Sequence, residues 1–426
     1  MPDPEQNISP YDQLPYESHP VAQANPSRLC AIARLFGIGA ALPENASVLE
    51  LGCAGGDNII SIAGMYPQSK CVGVEISEVQ VALGLEKIKQ SGLKNVELHR
   101  ASIADIDAGY GKFDYIICHG VFSWVARDIQ EKILAICREN LTPAGVAYVS
   151  YNTLPGWASA LAAREMMKYH AGALAEPGTK AAQARTLLQF IRDGQGESGR
   201  LYSDMINHEL ELLSNQSDNY LLHEHLEEHN TPYYFHQFNE MAEKAGMRFL
   251  AESKLPTMFI GNFPKNTADV LATCGDIIRT EQYMDFIYNR RFRSTLLCHK
   301  GVSINRNIPT DILRGLYFTN NFKSTEHLFD YDYKTTRKFV LITDSNVTLE
   351  TDDKLIIAMV AALTKFNKTP AMPEKITQAV VEIFESNQLK IKVDEKEILP
   401  LILNNLMRLL FTGGVELQAD DVMATI

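Results

Sequence analysis

Two hydrophobic rhythms alternate along the first 150 positions. Short apolar runs at Val48-Leu49-Glu50-Leu51, Cys71-Val72-Gly73-Val74-Glu75-Ile76, Val96 to Ala101, Phe113 to Cys118 and Val146 to Ser150 read as strands. Between them the spacing becomes helical, over Pro26–Phe36 (Leu29, Ile32, Leu35), from Asn58 to Ala63, over Val79–Gln90 and over Ile129–Asn140. Phe113 to Cys118 is nearly continuous in apolar residues, as a strand buried on both faces should be. Thr142-Pro143-Ala144-Gly145 is expected to stop the helix before it. Strand and helix in alternation predict an α/β, doubly wound parallel sheet, whose ligands bind beyond the carboxyl ends of the strands.

Past Ser159 the rhythm is helical to about Asn230, at Ala160–His170, Thr179–Arg192 and Met205–Leu213, with a Gly-rich break at 194–199. Phe238 to Leu250 reads as helix, glycine stop and strand, and Thr257–Ile260 as one more strand. The helices between are expected to form an insertion between strands five and six, capping the acceptor side. Ala268–Arg290 is helical, and its following arginines are expected to pair with Glu281 or Asp285. Phe339–Thr343 and Asn346–Thr351 predict a hairpin, followed by three helices and a short strand after Gly413-Gly414. The divisions that follow are an N-terminal arm (1–25), a cofactor-binding core (26–158), a helical insertion (159–232), the end of the sheet (233–264), a helical middle region (265–330) and a smaller, winged-helix-like α+β module (331–426).

Composition narrows the setting. With 426 residues the chain suits two or three domains, and 46% hydrophobic against 22% charged residues is ordinary for a globular protein with a filled core. A formal charge of −12 offers no broad attraction to a phosphate backbone, so nucleic acid is not expected as a partner. Seven scattered cysteines without metal spacing look like small core residues in a reducing compartment, and no metal is expected. The polar, proline-rich start and the lack of a membrane-length apolar run predict a cytoplasmic protein without membrane insertion.

The chemistry concentrates where strand one ends. Glu50, Gly52, Cys53, Ala54, Gly56, Asp57 and Asn58 form a tight turn entering a helix, which brings a ligand against bare backbone. Glu75 closes the next strand with Ile76 beside it, where a carboxylate accepts ribose hydroxyls. A pyrophosphate would be repelled by Glu50 and Asp57, whereas a zwitterionic amino-acid tail beside a sulfonium suits them. The turn therefore favours S-adenosylmethionine over NAD, with a glycine turn that binds nothing as the bland alternative. Ser102 and Ile103 follow strand three and suit an adenine edge and face. His119, Gly120 and Val121 follow strand four, where Gly120 lets backbone approach the ligand and His119 touches either the cofactor or a neighbouring carbonyl. Trp124 reads as core. Tyr151, Asn152 and Trp157, around a Pro-Gly turn after strand five, are the stretch expected to face a methyl acceptor, against the reading of an ordinary loop with buried aromatics. Tyr11 and Tyr16 in the N-terminal arm are expected either to pack on the surface or to close as an aromatic lid.

These motifs resemble a known family. The leader Tyr11-Asp12 with Pro15-Tyr16, the loop Leu51 to Asn58, the turn Tyr151 to Trp157, His223-Glu224-His225-Leu226-Glu227-Glu228-His229-Asn230 with Tyr233-Tyr234-Phe235, and Asp285 to Cys298 are similar to bacterial class I methyltransferases that carry a methyltransferase regulatory domain. The resemblance covers the chain to about His299. It implies a Rossmann-like seven-stranded sheet, S-adenosylmethionine as methyl donor with S-adenosylhomocysteine as product, and a homodimer. It also points to relatives that methylate lysines of bacterial outer-membrane proteins. Ala54 stands where many such enzymes have a middle glycine, and Ser102 where many have a carboxylate for the adenine amine.

The acceptor stays open between a protein lysine and a small molecule, with a cofactor-binding regulatory protein that does not turn over as the third reading. A lysine must lose a proton before it attacks, at a cost of about 4–5 kcal/mol from a pKa near 10.4. Tyr16, Tyr151, Asn152 and Trp157 are the residues expected to line that pocket, and no dedicated base stands out; His119 is the nearest in sequence order.

Overall fold

The computed structural model describes residues 18–422 apart from 196–199, 215, 325–335, 346 and 392. The expected lid residues Tyr11 and Tyr16 lie outside the described residues. Helix α1 (Pro26–Leu35) begins under Asn25, whose side chain accepts from Ser27 N, with proline at the first helical position. Then come β1 (Ser47–Leu51), α2 (Asp57–Met65), β2 (Lys70–Glu75), α3 (Glu78–Ser91), β3 (Val96–Arg100), β4 (Phe113–Cys118), α4 (Arg127–Asn140) and β5 (Leu141–Asn152). Ser77 caps α3, and Gly92 at φ +69° ends it.

Beyond β5 lie α5 (Ala158–Ala171), α6 (Pro177–Gly194), α7 (Arg200–Ser214) and α8 (Asp218–His225), then α9 (Phe235–Lys244) and β6 (Met247–Glu252). Next are α10 (Lys265–Leu271), α11 (Ile277–Tyr288) and β7 (Phe292–His299). The seven strands take the order β3-β2-β1-β4-β5-β7-β6, with β7 antiparallel to both its neighbours. Side chains alternate between two cores, as the period of two requires. Val48, Tyr115, Ile117, Val146 and Tyr148 face α1 and α2, while Leu49, Leu51, Ile116, Cys118, Val149 and Tyr151 face α4 and α9.

Three expectations change here. Thr257–Ile260 is not a strand but part of tight 3-10 turns (Leu255–Met258, Ile260–Asn262), with Phe259 stacked on Phe411 at 5.2 Å. The place between β5 and β6 belongs to β7, so residues 265–330 are not a separate helical region. Finally, β5 already starts at Leu141 and runs on to Asn152, well past Ser150.

Arg293 of β7 is fully buried and ties β7 to β6 and α11. Its guanidinium donates to Glu252 on β6 (2.7 Å) and to Glu281 and Asp285 on α11 (2.9 and 2.8 Å), over the Phe235 ring at 4.0 Å. Arg290 adds a second cation on Asp285 at 2.8 Å. Burial still pushes the Glu281 carboxyl up to about 7 against these cations.

The rest of the chain is a smaller α+β region. It comprises β8 (Tyr317–Asn320), β9 (Phe322–Ser324), β10 (Arg337–Leu341), β11 (Thr348–Thr351), α12 (Lys354–Lys365), α13 (Pro373–Ser386), α14 (Glu395–Thr412) and β12 (Val415–Gln418). The expected hairpin is β10–β11, and β12 pairs with β8. Ala419 N donates to Ser27 Oγ at 3.0 Å, which ties this region to α1.

Candidate active site

The turn after β1 reverses direction through Gly52, Ala54 and Gly56, all left-handed at φ +67°, +46° and +77°. Gly52 N and Cys53 N both donate to Val74 O (2.8 and 3.1 Å), so the bend stays welded to β2. A Cβ on Gly52 would lie 2.5 Å from Val121 Cγ2. That glycine is therefore required by Val121 packing as well as by its backbone. The Cys53 thiol points inward beneath Gly73.

Glu75 is locked at the end of β2. Oε2 accepts from Ala54 N at 3.0 Å, and Oε1 from Ile76 N and Ser77 N at 2.9 and 3.0 Å. Oε1 is thus filled by two donors, while Oε2 keeps a lone pair for a hydroxyl donor. Ile76 beside it is 59% exposed, an apolar surface left open next to a fixed carboxylate.

Glu50 behaves differently. It is buried, and its Oε1 accepts from Asn58 Nδ2 at 2.9 Å. Its Oε2 has no hydrogen-bond partner, and burial pushes the carboxyl up to about 8. Such an orphaned acceptor fits a cation from outside the protein. Asp57 makes no such offer, because Lys87 Nζ holds it at 2.7 Å and Ser18 Oγ donates to it at 2.6 Å. Of the expected pair of carboxyl groups, only Glu50 keeps an unpartnered oxygen. Asn58 is likewise committed inside the protein, since its Oδ1 accepts from Val21 N at 2.9 Å.

At the end of β3, Ser102 and Ile103 are half-buried, and Ser102 Oγ accepts from Ala104 N at 3.2 Å. After β4, Gly120 has φ +66° with open space where a Cβ would stand, and its N donates to Ser150 Oγ at 2.9 Å. His119 Nδ1 lies 3.2 Å from both Tyr148 Oη and Ser150 Oγ. Burial pushes its pKa down to about 4, so the ring is neutral at pH 7.

On the acceptor side the expected residues separate. Tyr151 does not line a pocket: it stacks on Phe238 at 4.0 Å, touches Thr295 Oγ1 at 3.2 Å and is buried in the core against α9. Because β5 continues to Asn152, alternation sends Tyr151 to the face opposite Ser150 and Asn152. Asn152 Nδ2 donates to Asn230 Oδ1 at 3.2 Å, and its backbone N to Ser123 Oγ at 2.9 Å. Trp157 is buried at the start of α5, edge-on to a half-buried Trp124 (6.1 Å), stacked on His225 (5.8 Å) and capped by Arg291 at 5.5 Å. Trp157 therefore joins the cap helices to the sheet. Phe292, 44% exposed and edge-on to His119 at 6.3 Å, was missed in the sequence because β7 was.

Strand order, the bent glycine loop, the fixed Glu75 and the orphaned Glu50 define a class I S-adenosylmethionine-dependent methyltransferase fold and site. Residues 42–225 match the family described as a methyltransferase domain, and residues 217–299 match the predicted methyltransferase regulatory domain. Rickettsia prowazekii protein RP789, itself uncharacterized, is 40% identical over 412 residues, covering 96% of this chain and 73% of that one. PKMT2 from Rickettsia typhi, also solved in complex with AdoHcy, superposes with a TM-score of 0.82 at 37% identity. That superposition covers 95% of this chain and 77% of PKMT2. The chain belongs to this family of methyltransferases with a regulatory domain, and S-adenosylmethionine is its cofactor. The regulatory match takes in α8, α9, β6 and β7, so two of its strands are part of the catalytic sheet. No described helix is long and apolar enough to cross a membrane, and no metal-binding cluster occurs among the described residues.

Proposed function

We propose that the protein methylates lysine side chains of other proteins. The observation that carries this reading is the likeness to PKMT2 across nearly the whole chain, cap and C-terminal region included. Bound at the glycine loop, S-adenosylmethionine supplies a methyl group activated by its sulfonium. Glu50 Oε2 would take the cofactor's ammonium and Glu75 Oε2 a ribose hydroxyl. Ile76 and Ile103 would flank the adenine, with Ser102 at its edge. Gly52, Cys53, Ala54, Gly56, Gly120 and Val121 would shape the floor with backbone and small side chains.

The reaction is an in-line displacement, so alignment and exclusion of water do most of the work. Asn152, His119, Phe292 and the Trp124–Trp157 pair border the acceptor side, and a neutral imidazole there avoids repelling a cationic lysine. The test is incubation with methyl-labelled cofactor and a cell lysate, followed by mass spectrometry of digested protein. Label on lysine side chains is expected. Label confined to small molecules refutes the proposal.

A further inference from the structure

A lysine acceptor arrives as an ammonium, so something at the acceptor side must take its proton. We infer that Glu224, at the end of α8, is that base and hence a catalytic residue. The inference rests on the lysine reading above.

The placement is set by the chain that returns from the cap. His225 stacks on Trp157, and Thr231 N then donates to Ser123 O (2.8 Å) and Tyr233 N to Asn152 O (3.0 Å), which runs this segment along the ends of β4 and β5. Asn230 bridges the two, its Oδ1 on Asn152 Nδ2 at 3.2 Å and its Nδ2 directed at Glu224 O at 3.5 Å. The main chain at Glu224 is thus held one amide side chain away from the end of β5.

The carboxylate itself is half-buried, and among the described residues no hydrogen bond reaches it. Protein crowds it enough to push its pKa up to about 7, with the charge of His223 pulling weakly the other way. The neighbouring charges are engaged elsewhere. His223 lies 3.4 Å from Glu227, Arg164 of α5 donates to the carbonyls of Glu227 and Glu228, Lys168 reaches Glu228 O, and Arg291 is paired with Glu209. A group titrating near neutrality, reachable by solvent and lacking a partner is what base catalysis needs. The alternatives fit worse. Burial pushes both His119 and His225 down to about 4, and Glu50 is bound to Asn58 on the cofactor side.

In the step, one proton passes from the acceptor Nζ to a Glu224 carboxylate oxygen. The freed nitrogen lone pair then bonds to the methyl carbon as the carbon–sulfur pair returns to sulfur. Glu224 afterwards releases the proton to water.

The test is the pH profile of kcat/KM on a lysine-containing protein substrate, with S-adenosylhomocysteine affinity measured alongside. Glu224→Gln is expected to cut kcat/KM about 10²–10⁴-fold at pH 7. It should also move the ascending limb from near pH 7 towards the lysine's own pKa, so that the gap narrows near pH 10. Inhibitor affinity should stay within about twofold, since Glu224 is not on the cofactor side. If the glutamine variant folds poorly, Glu224→Asp carries the same test through a shifted limb. Lysine labelling with an unchanged profile in the variants overturns the base assignment alone. Absence of lysine labelling in the wild type overturns the lysine reading and this assignment together.

Discussion

Glu50 is buried with Asn58 as its side-chain partner and one empty oxygen, so under the proposed cofactor placement it should act as a proton switch for binding. Its folded pKa lies above the ordinary carboxylate value, at about 8. The sign follows from linkage: stability from the protonated form is complete below about pH 4.5 and is lost as pH rises through about 8. A cofactor ammonium against Oε2 favours the charged form, so binding at pH 7 should release close to one proton. Calorimetry of S-adenosylhomocysteine binding in buffers of different ionisation enthalpy measures that number, and Glu50→Gln should abolish the release. Ala54 supplies a second residue-level expectation. At φ +46° an alanine carries strain that glycine would relieve, so Ala54→Gly should raise stability by up to about 1 kcal/mol in urea unfolding. Gly52→Val is a poor probe of cofactor binding, because the clash with Val121 would destabilise the loop whether or not a ligand is present.

At the scale of elements, the boundaries of two strands decide which expectations survive. Strands β1 to β4 and their helices were legible because their apolar runs are short and bounded by turn residues. The glycine loop and Glu75 were legible because each follows such a run. Tyr151 was misplaced because Thr142-Pro143-Ala144-Gly145 looks like a turn while the chain continues as strand, and a strand that reaches Asn152 reverses the facing of its last residues. Strand β7 was hidden because Arg293, its second residue, breaks the hydrophobic pattern; only its burial among three carboxylates makes it a core residue. Asp57 and Asn58 could not be placed from sequence, since Lys87, Ser18 and Val21 meet them from 30, 39 and 37 residues away. The alternation along β5 makes a paired prediction. Tyr151→Phe should lose the contact to Thr295 and cost about 1 kcal/mol of stability while leaving methyl transfer intact. Asn152→Ala loses its bond to Asn230 and should cost a similar amount, about 1 kcal/mol, yet it should also depress kcat/KM at least tenfold, and steady-state assays beside melting curves separate the two.

Across the whole molecule the accessory parts are attached in two different ways. The C-terminal region shares one continuous core with the sheet face behind α1 and α2, through Phe318, Met359, Leu406 and Leu417 among others. The cap formed by α5 to α8 has a core of its own, rich in small side chains such as Ala163, Ala171, Ala181 and Ala184. Alanines bury little area, so this cluster contributes less per residue than the leucines and isoleucines behind the sheet. The cap is joined to the sheet at a few points, chiefly Trp157 and the Arg291 contact to a fully buried Glu209, which also accepts from Ser159 Oγ at 3.0 Å. Such a unit should open below the global unfolding free energy. Amide exchange in α6 and α7 should therefore be faster than in β1, β4 and β5, whereas α12 and α14 should exchange with the sheet. The Arg291 side chain is 30% exposed, so removing it from Glu209 should cost less than the ~3–5 kcal/mol of a fully buried ion pair, but still leaves Glu209 buried without its cation. Arg291→Ala should accordingly speed exchange throughout α5 to α8 and leave the sheet protected. Because α8 also carries Glu224, the same substitution should slow methyl transfer without weakening S-adenosylhomocysteine binding. Uniform loss of protection in cap and sheet alike would instead mean that the cap and the sheet unfold as one unit.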